Sequence, residues 1–360
     1  METVADRVRT LIEQSNLTQS AFAEQVGIEP SKLSKSLNGV RRFSSLDLAL
    51  MSEAEKVSVD WLLTGVEPAL ATAARASQGS SAQQALSLAE DYASARETLT
   101  ALGYGQTWNL PEVTWETSLW IEQGQELAQI ALTMMSNANQ LMINDLDEGI
   151  GATFGIDVAV QPLGEGFDGL AVSSSEAKFI LVNSTTAATR QRFTKAHELG
   201  HLLAADDQHI HEDQNIYAET SKNNESEVRA NSFAAAFLMP EDLLRAQMAD
   251  QPDLKGLCVL ATKLHVSPSA LAYRLANLHF IDDDMRDNLR DLTARKAAQI
   301  GEQTALFVQA TAEAQIVRPP SSLVSDALLA YLNGDITLRL GARLLGTDTR
   351  TLRQQLDANP

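Results

Sequence analysis

The spacing of apolar and polar positions divides the chain into helical segments and one short region with a strand-like pattern. Apolar residues recur at helical spacing over residues 1–65 and again over 81–147, and the polar, Ala- and Ser-rich stretch between them is typical of a linker. Between 150 and 185 the period changes to two in DVAVQPL, FDGLAVS and KFILVNS, which predicts three short strands. A long helix is then expected from about residue 187, a second from about 226 to 238, and further helices to the end.

This pattern predicts a mainly α protein with a small β-sheet, an α+β fold, arranged in several domains. A chain of 360 residues is long enough for two or three cores. We place an N-terminal all-α domain at 1–66, the linker at 67–80 and a helical connecting region at 81–147. The domain with the sheet follows at 148–280, and a helical C-terminal region at 281–360.

Composition and charge exclude several classes of protein. No apolar run approaches the roughly 18 residues of a membrane-spanning helix, and the N-terminus lacks the apolar core of a secretory signal, so we expect a cytoplasmic protein without a membrane partner. The single cysteine, Cys258, excludes an internal disulfide and a cysteine-rich zinc module. A formal net charge of −19 means that any contact with DNA must be local.

The clearest chemical motif is TKAHELGHLLA, which carries His197, Glu198 and His201. Histidines four residues apart on a helix lie on one face, one turn apart, so both imidazoles can bind one metal ion. Glu198 lies on the adjoining edge, where its carboxylate can accept a proton from a metal-activated water without binding the metal. The motif therefore predicts two metal ligands and a catalytic base.

A catalytic metal site needs a third protein ligand, and NESEVRANSFAAAFLMP offers one. On a helix, Glu227 shares the inward face with Ala230, and a buried carboxylate needs a partner such as a metal ion. Glu225 projects from another face and is the weaker candidate. His209 and His211 follow an acidic stretch and are interpreted as a surface tract. The expected metal is zinc, with manganese as the alternative for a site of two histidines and one glutamate.

The two motifs together, RQRFTKAHELGHLL and EVRANSFAAAFLMP, resemble the ImmA/IrrE family of metallopeptidases over about residues 150–280. The resemblance implies a zincin-like, gluzincin-type domain with His197, His201 and Glu227 as ligands and Glu198 as base. Members of that family cleave helix-turn-helix repressors and so lift repression of stress, phage or mobile-element genes. A regulatory protein, such as a helix-turn-helix repressor, is therefore the expected substrate.

The segment LTQSAFAEQVGIEPSKLSKSLNG has the spacing of a helix-turn-helix unit. Thr18 suits the N-cap of the first helix, Gly27 the tight turn, and Pro30 the first position of the second helix. Leu33 and Leu37 then face the core. The N-terminal domain resembles the XRE family of phage-repressor-type domains over residues 1 to about 65.

Polar and basic side chains lie on the outer face of the second helix and just after it. The predicted DNA contacts are Gln19, Ser31, Lys32, Ser34, Lys35, Arg41 and Arg42. Residues 27–42 hold four basic groups and one acidic group, a local charge of +3. This favours operator DNA, bound through residues 18–42, and the resemblance implies a homodimer on a pseudo-palindromic site. Docking on another protein is the alternative for such a fold.

The same spacing recurs twice towards the C-terminus. The copy in ATKLHVSPSALAYRL is expected to pack on the catalytic domain. The copy at 336–356 carries Arg339, Arg343, Arg350 and Arg353 against Asp348 alone. This C-terminal copy has two possible functions that the sequence does not separate, a second contact with DNA and a docking surface for another protein.

Three hypotheses for the function follow. The chain is an active metallo-endopeptidase fused to a DNA-binding regulator, or a transcriptional regulator whose metallopeptidase fold serves as sensor or scaffold, or a toxin–antitoxin or defence component. Glu198 favours the first over the second, because a purely structural metal site has no use for a base. The third cannot be separated from the first by sequence.

Overall fold

The computed structural model describes residues 3–15, 17–55, 57, 61–62, 80–135, 146–164, 166–206, 212–213, 225–248 and 252–358. The predicted linker, apart from its last position, lies outside these residues, as do residues 136–145 and the tract with His209 and His211. The chain divides into two compact units, Met1–Gly79 and Ser80–Pro360. The domain boundaries given above remain predictions.

The described part of the first unit is helical. Its helices are α1 (Val4–Gln14), α2 (Gln19–Gln25), α3 (Pro30–Leu37) and α4 (Ser45–Glu55). Thr18 caps α2, because its side chain accepts a hydrogen bond from the backbone N–H of Ala21 at 3.3 Å. Pro30 opens α3, and Leu33 and Leu37 are buried in the core of this unit.

The second unit contains a four-stranded sheet. Its strands are β1 (Asp157–Gln161), β2 (Gly169–Ser173), β3 (Lys178–Asn183) and β4 (Glu212–Asp213). The strand order is β1-β3-β2-β4, in which β1 runs parallel to β3, and β2 runs antiparallel to both β3 and β4. At the outer side of β1, Val160 and Arg318 exchange two backbone hydrogen bonds of 2.8 Å. The C-terminal region therefore covers part of this edge.

Helices make up most of the second unit. Before the sheet come α5 (Ser80–Ala101), α6 (Trp120–Met134) and α7 (Leu146–Phe154). After β3 come α8 (Ala188–Ala204), α9 (Glu225–Leu238), α10 (Glu241–Met248), α11 (Leu254–Lys263), α12 (Pro268–Asn277), α13 (Asp283–Arg290), α14 (Ala294–Ile300), α15 (Thr304–Ala314), α16 (Ser321–Leu332), α17 (Arg339–Leu344) and α18 (Thr349–Ala358). The predicted fold class, mainly α with a small sheet, is confirmed. None of the described helices combines the length and apolar character needed to cross a bilayer.

One hydrophobic core joins elements that the sequence pattern assigned to different regions. It includes Leu127 of α6, Ile180 of β3, Leu199 of α8, Phe233 of α9 and Leu271 of α12. Helices α11 and α12, the middle copy of the repeated spacing, thus pack on the same core as α8. Helix α6 of the connecting region does so as well.

The C-terminal copy of the spacing, α17 and α18, has a small core of its own, formed by Leu338, Ala342 and Leu352. Its four arginines are exposed. Of these, Arg343 lies 3.9 Å from the carboxylate of Asp91. DNA binding and protein docking both remain predictions for this surface.

The close packing of α6 on α9 depends on Gly124. A β-carbon built at this position would lie 2.4 Å from the carbonyl oxygen of Arg229 and 2.8 Å from the backbone nitrogen of Phe233. Because these are backbone atoms, room for a side chain could come only from displacement of a whole helix.

We therefore predict that Gly124→Ala destabilises the second unit by about 1–3 kcal/mol through overpacking. Urea unfolding followed by tryptophan fluorescence measures this, because Trp108, Trp115 and Trp120 all lie in the second unit. Gly151→Ala is the matched control within a helix, since its added β-carbon would meet its nearest neighbour at 3.7 Å. A Gly124→Ala midpoint equal to that of the wild type would contradict the packing argument.

Candidate metal centre

Helix α8 presents His197 and His201 on one buried face. The two side chains are 0% and 3% exposed, their ring centroids lie 4.7 Å apart, and their Nε2 atoms are separated by 3.1 Å. One turn earlier, Phe193 stacks on the ring of His197 at 6.4 Å. The four-residue spacing therefore brings two imidazole nitrogens to one point in the interior.

Helix α9 brings a carboxylate to the same point. Glu227 Oε2 lies 3.2 Å from His197 Nε2, and Glu227 Oε1 lies 3.3 Å from His201 Nε2. Glu227 is 6% exposed and shares its buried face with Ala230, whereas Glu225 is exposed. The structure thus brings together the three side chains predicted as ligands.

The approach of α9 to α8 requires a residue without a side chain on α8. A β-carbon built at Gly200 would lie 2.9 Å from Cδ1 of Phe233 and 3.4 Å from Cα of Ala230. Gly200 lies next to His201 in the sequence, so the glycine permits close contact where the ligands meet.

The surroundings of Glu227 favour its ionised form. Burial raises the pKa of its carboxyl group, but hydrogen bonds to His197 and His201 and the charges of these rings outweigh burial. The pKa of Glu227 therefore lies well below its ordinary value. A carboxylate, and not a carboxylic acid, faces the two imidazoles.

The donor atoms of His197, His201 and Glu227 fit a divalent metal ion. Two imidazoles and one carboxylate are the ligand set of many catalytic zinc sites, which keep a fourth position open. Neighbouring ligands of a tetrahedral zinc ion with bonds of about 2.0–2.1 Å lie roughly 3.3 Å apart. The three separations of 3.1, 3.2 and 3.3 Å agree with this value. Among the described residues, these three side chains form the group that could surround a metal ion.

Glu198 occupies a different place from the three ligands. It is fully buried and follows His197 directly in α8, but it does not belong to the group of converging donor atoms. This placement is compatible with a base that acts beside the metal and does not bind it.

Asp206 and Arg229, which the sequence did not indicate, form a second layer behind His201. Asp206 Oδ2 lies 2.8 Å from His201 Nδ1, and Asp206 also forms an ion pair with Arg229. The chain turns back at Ala205, which adopts a left-handed conformation with φ 50°, and the backbone N–H of Asp206 donates to the carbonyl of His201 at 3.2 Å. The sequence signal that indicates Asp206 is an acidic residue five positions after the second histidine, just past the end of the helix.

Arg229 is itself enclosed by residues of α6 and the segment before it. Its guanidinium lies 5.2 Å from the ring centre of Trp115 and 4.9 Å from that of Trp120. One guanidinium nitrogen donates to Oε1 of Gln123 at 3.1 Å. Cation–π contacts, a hydrogen bond and the Asp206 carboxylate together stabilise this buried charge.

The residues predicted to contact DNA all lie on the first unit. Gln19, at the start of α2, is exposed, as are Ser31, Lys32, Lys35 and Arg42, and Ser34 is half-buried. Arg41 differs from the others, because its guanidinium pairs with Asp47 at 2.7 Å and donates to Ser36 Oγ at 3.1 Å. Its charge is therefore partly neutralised within the unit.

Comparison with known proteins bears on the segment that holds the metal centre. Residues 152–276 match the IrrE N-terminal-like domain. The radiation response metalloprotease IrrE of Deinococcus radiodurans is 37% identical over 127 residues, which cover 34% of this chain and 37% of that protein. The protein of the same name from Deinococcus deserti is 35% identical over 124 residues, which cover 34% of this chain and 43% of that protein. The chain thus spans about two fifths of the length of these curated relatives.

These similarities support the metallopeptidase part of the family resemblance. The matched segment contains β1 to β3, α8, α9 and all four residues His197, Glu198, His201 and Glu227. The IrrE-like segment and the metal-binding geometry therefore coincide.

We predict that Glu227→Gln abolishes stoichiometric metal binding by the IrrE-like domain. Glu227 supplies the negative charge of the ligand set, because metal-bound imidazoles are neutral. The glutamine amide carries no charge, so the affinity for the metal ion should fall by at least ~100-fold. Metal content after purification without chelators, and titration of the apo-protein with zinc, measure the change. Glu225→Gln removes the same charge from the exposed face of α9 and should bind as the wild type does. Equal metal content in both variants would exclude Glu227 as a ligand.

Proposed function

We propose that the chain is a metallo-endopeptidase joined to a DNA-binding transcriptional regulator, and that it cleaves a regulatory protein such as a helix-turn-helix repressor. The convergence of His197, His201 and Glu227 next to Glu198, within a segment similar to IrrE metalloproteases, carries the proposal. The proposed cofactor is zinc, with manganese as the alternative. The cytoplasm is the proposed location, because a repressor substrate and operator DNA would both be found there.

The chain's own residues would divide the chemistry of peptide hydrolysis among them. A divalent metal ion at this centre would polarise the scissile carbonyl and lower the pKa of a water molecule. Glu198 would accept the proton of that water and pass it to the leaving amine. Asp206 Oδ2 would accept a hydrogen bond from the Nδ1–H of His201, which leaves the Nε2 lone pair free to face the metal position.

One observation favours the alternative of a regulator whose metallopeptidase domain acts as sensor or scaffold without proteolysis. The three ligands and Glu198 are all buried, with Glu227 the most exposed at 6%. A peptide substrate must reach such a centre, whereas a sensor domain needs no such access. The two functions differ in their need for Glu198, because a peptidase requires it as a base and a sensor or scaffold does not.

We predict that Glu198→Gln abolishes cleavage and leaves metal binding within about twofold of the wild type, because the amide cannot accept a proton but has a similar shape. The metal-loaded full-length protein is incubated with repressors encoded beside its gene, and the products are analysed by mass spectrometry. Glu225→Gln, with the same change on an exposed residue, should retain cleavage. Equal cleavage by the wild type and Glu198→Gln would refute the mechanism, and cleavage by neither would favour the sensor.

The proposed DNA contact rests on the exposed basic side chains of α3 and the residues after it. Lys32, Lys35 and Arg42 are exposed, and residues 27–42 carry a local charge of +3. Lys32 has a carboxylate of Glu29 at 3.9 Å, and Arg41 pairs with Asp47, so we assign the main phosphate contacts to Lys35 and Arg42. Homodimerisation on a two-fold site is part of this proposal.

We predict that Lys35→Ala weakens binding to a duplex from the region upstream of its own gene and lowers the slope of log K against log salt by about 1. Fluorescence anisotropy at several salt concentrations measures both quantities. Lys255→Ala removes a lysine that pairs with Glu302 in the second unit and should leave the slope unchanged. An unaltered slope in Lys35→Ala would instead support protein docking by α3.

A further inference from the structure

The spacing that recurs three times in the sequence corresponds to a backbone turn that recurs in the structure. It joins three pairs of helices, α2 with α3, α11 with α12, and α17 with α18. In each pair four residues separate the two helices, and these connections are 26–29, 264–267 and 345–348. A connection of this length is typical of a helix-turn-helix unit.

The three connections share one left-handed residue and one hydrogen bond. The left-handed residues are Gly27 (φ 70°), His265 (φ 54°) and Gly346 (φ 61°). The next backbone N–H donates to a carbonyl near the end of the first helix, from Ile28 to Ala23 (2.8 Å), from Val266 to Ala261 (3.1 Å) and from Thr347 to Ala342 (2.9 Å). This bond is typical of a Schellman motif, which ends the first helix and redirects the chain. The C-terminal helix pair, α17 and α18, therefore has the same turn as the N-terminal pair.

The second helix of the middle pair, α12, is enclosed by the rest of its unit. Leu271, Ala272 and Leu275 belong to the main hydrophobic core. Its basic residue Arg274 is 8% exposed and donates to the carbonyl of Met239 at 3.3 Å. A helix that reads DNA must present several side chains to a groove, so the surroundings of α12 do not suit this role.

The second helix of the C-terminal pair, α18, is exposed along most of its surface. Leu352 is buried and Leu356 is half-buried, and both pack against the small core around Leu338 and Ala342. The other side chains of Thr349–Ala358 are exposed. The major groove of B-form DNA is about 12 Å wide and admits an α-helix. Helix α18 is thus available for such a groove, whereas α12 is not.

Arginines are present on both helices of the C-terminal pair. Arg350 and Arg353 are three residues apart on α18 and therefore lie on one face. Counted from the start of the second helix, they occupy the positions of Ser31 and Ser34 in α3. Arg339 and Arg343 lie one turn apart on α17, and all four arginines are exposed. Guanidinium groups donate well both to phosphates and to the edge of guanine in the major groove.

The arginines of this pair outnumber its carboxylates. Residues 336–358 hold four arginines and two aspartates, a local charge of +2 in a chain of −19. Asp348 caps α18, because its carboxylate accepts the backbone N–H groups of Arg350 at 2.9 Å and Thr351 at 3.0 Å. Asp357 lies in the last turn of α18, whereas a recognition helix contacts bases with its N-terminal residues.

Two acidic residues outside the pair lie near it. Asp91 of α5 is 3.9 Å from Arg343, and both side chains are more than half exposed, so this contact is weak. Asp335 precedes the pair and accepts a hydrogen bond from the hydroxyl of Tyr104 at 2.5 Å. The local excess of positive charge is therefore available to a polyanion.

We propose that α17 and α18 form a second DNA-binding surface. Arg350 and Arg353 of α18 would face the major groove of a duplex, and Arg339 and Arg343 of α17 would contact its phosphates. In helix-turn-helix units the second helix enters the groove and the first crosses the backbone in this way. The proposal depends neither on peptidase activity nor on the proposed contact of α3 with DNA.

The test uses the full-length protein without the main contacts assigned to α3. The background variant is Lys35→Ala/Arg42→Ala, and the probe is a fluorescein-labelled duplex of mixed sequence with two helical turns, ~20 base pairs. Fluorescence anisotropy at several salt concentrations gives the affinity and its salt dependence. The background variant should still bind this duplex at low salt. No detectable binding would overturn the proposal.

Two pairs of substitutions in this background locate the surface. Arg350→Gln/Arg353→Gln should weaken the affinity at least ~10-fold, because two side chains at the groove lose their charge. Arg339→Gln/Arg343→Gln should lower the slope of log K against log salt by about 2, because two phosphate contacts are lost. All four side chains are exposed, so we expect these variants to fold as the wild type does.

The matched control is Arg295→Gln/Lys296→Gln, which removes two exposed positive charges from α14. It should leave both the affinity and the slope unchanged. If the control and the α18 variant lose affinity equally, net charge alone explains the binding and the proposal is wrong. Unchanged affinity in the α18 variant would also refute it and would leave protein docking as the function of this surface.

Hydrogen exchange gives a second measurement that needs no substitution. Addition of the duplex to the wild type should slow amide exchange in residues 349–358, because bound DNA would cover an exposed helix. An unchanged exchange rate in this segment at saturating duplex would contradict the proposal. Glu198→Gln should show the same protection as the wild type, so failure here is distinct from failure of the proposed peptidase.

Discussion

The close approach of α9 to α8 is the constraint on which the metal centre depends. A carboxylate from one helix must reach two imidazoles on the other, and the observed separations of 3.2 and 3.3 Å allow little displacement. Gly200 removes the side chain that would hold Phe233 away from α8. Gly124 allows α6 to pack closely on α9. Helix α9 is therefore in close contact with α8 at Gly200 and with α6 at Gly124.

The second layer fixes the same two helices by electrostatics. Asp206 extends from the end of α8 and Arg229 from α9, so their ion pair ties the helices together beside His201. The turn that makes this possible has a cost, because an alanine in the left-handed region is about 1 kcal/mol less favourable than a glycine. The turn brings Asp206 to His201, and the hydrogen bond between them fixes the orientation of the His201 ring at the metal site.

Features that depend on one helix could be predicted from the sequence, and features that depend on distant segments could not. The spacing of His197 and His201 and the inward position of Glu227 follow from helical periodicity alone. The contact of Asp206 with His201 is local and has a sequence signal, but the ion pair of Asp206 with Arg229 depends on a different helix. The ion pair between Arg318 and Asp147 is still harder to predict from the sequence, because the two residues meet across 171 positions. The two-residue strand β4 has no periodicity to reveal it.

The net charge of −19 does not prevent the proposed contact with DNA. Interactions between exposed charges are largely screened beyond about 8 Å at physiological ionic strength, so distant acidic groups contribute little at a given site. The local arrangement of charge therefore decides whether a polyanion can bind. The side chains of Lys35 and Arg42 are exposed to solvent, where dissolved ions compete for their contacts. This exposure suits salt-dependent, reversible binding to a polyanion such as DNA.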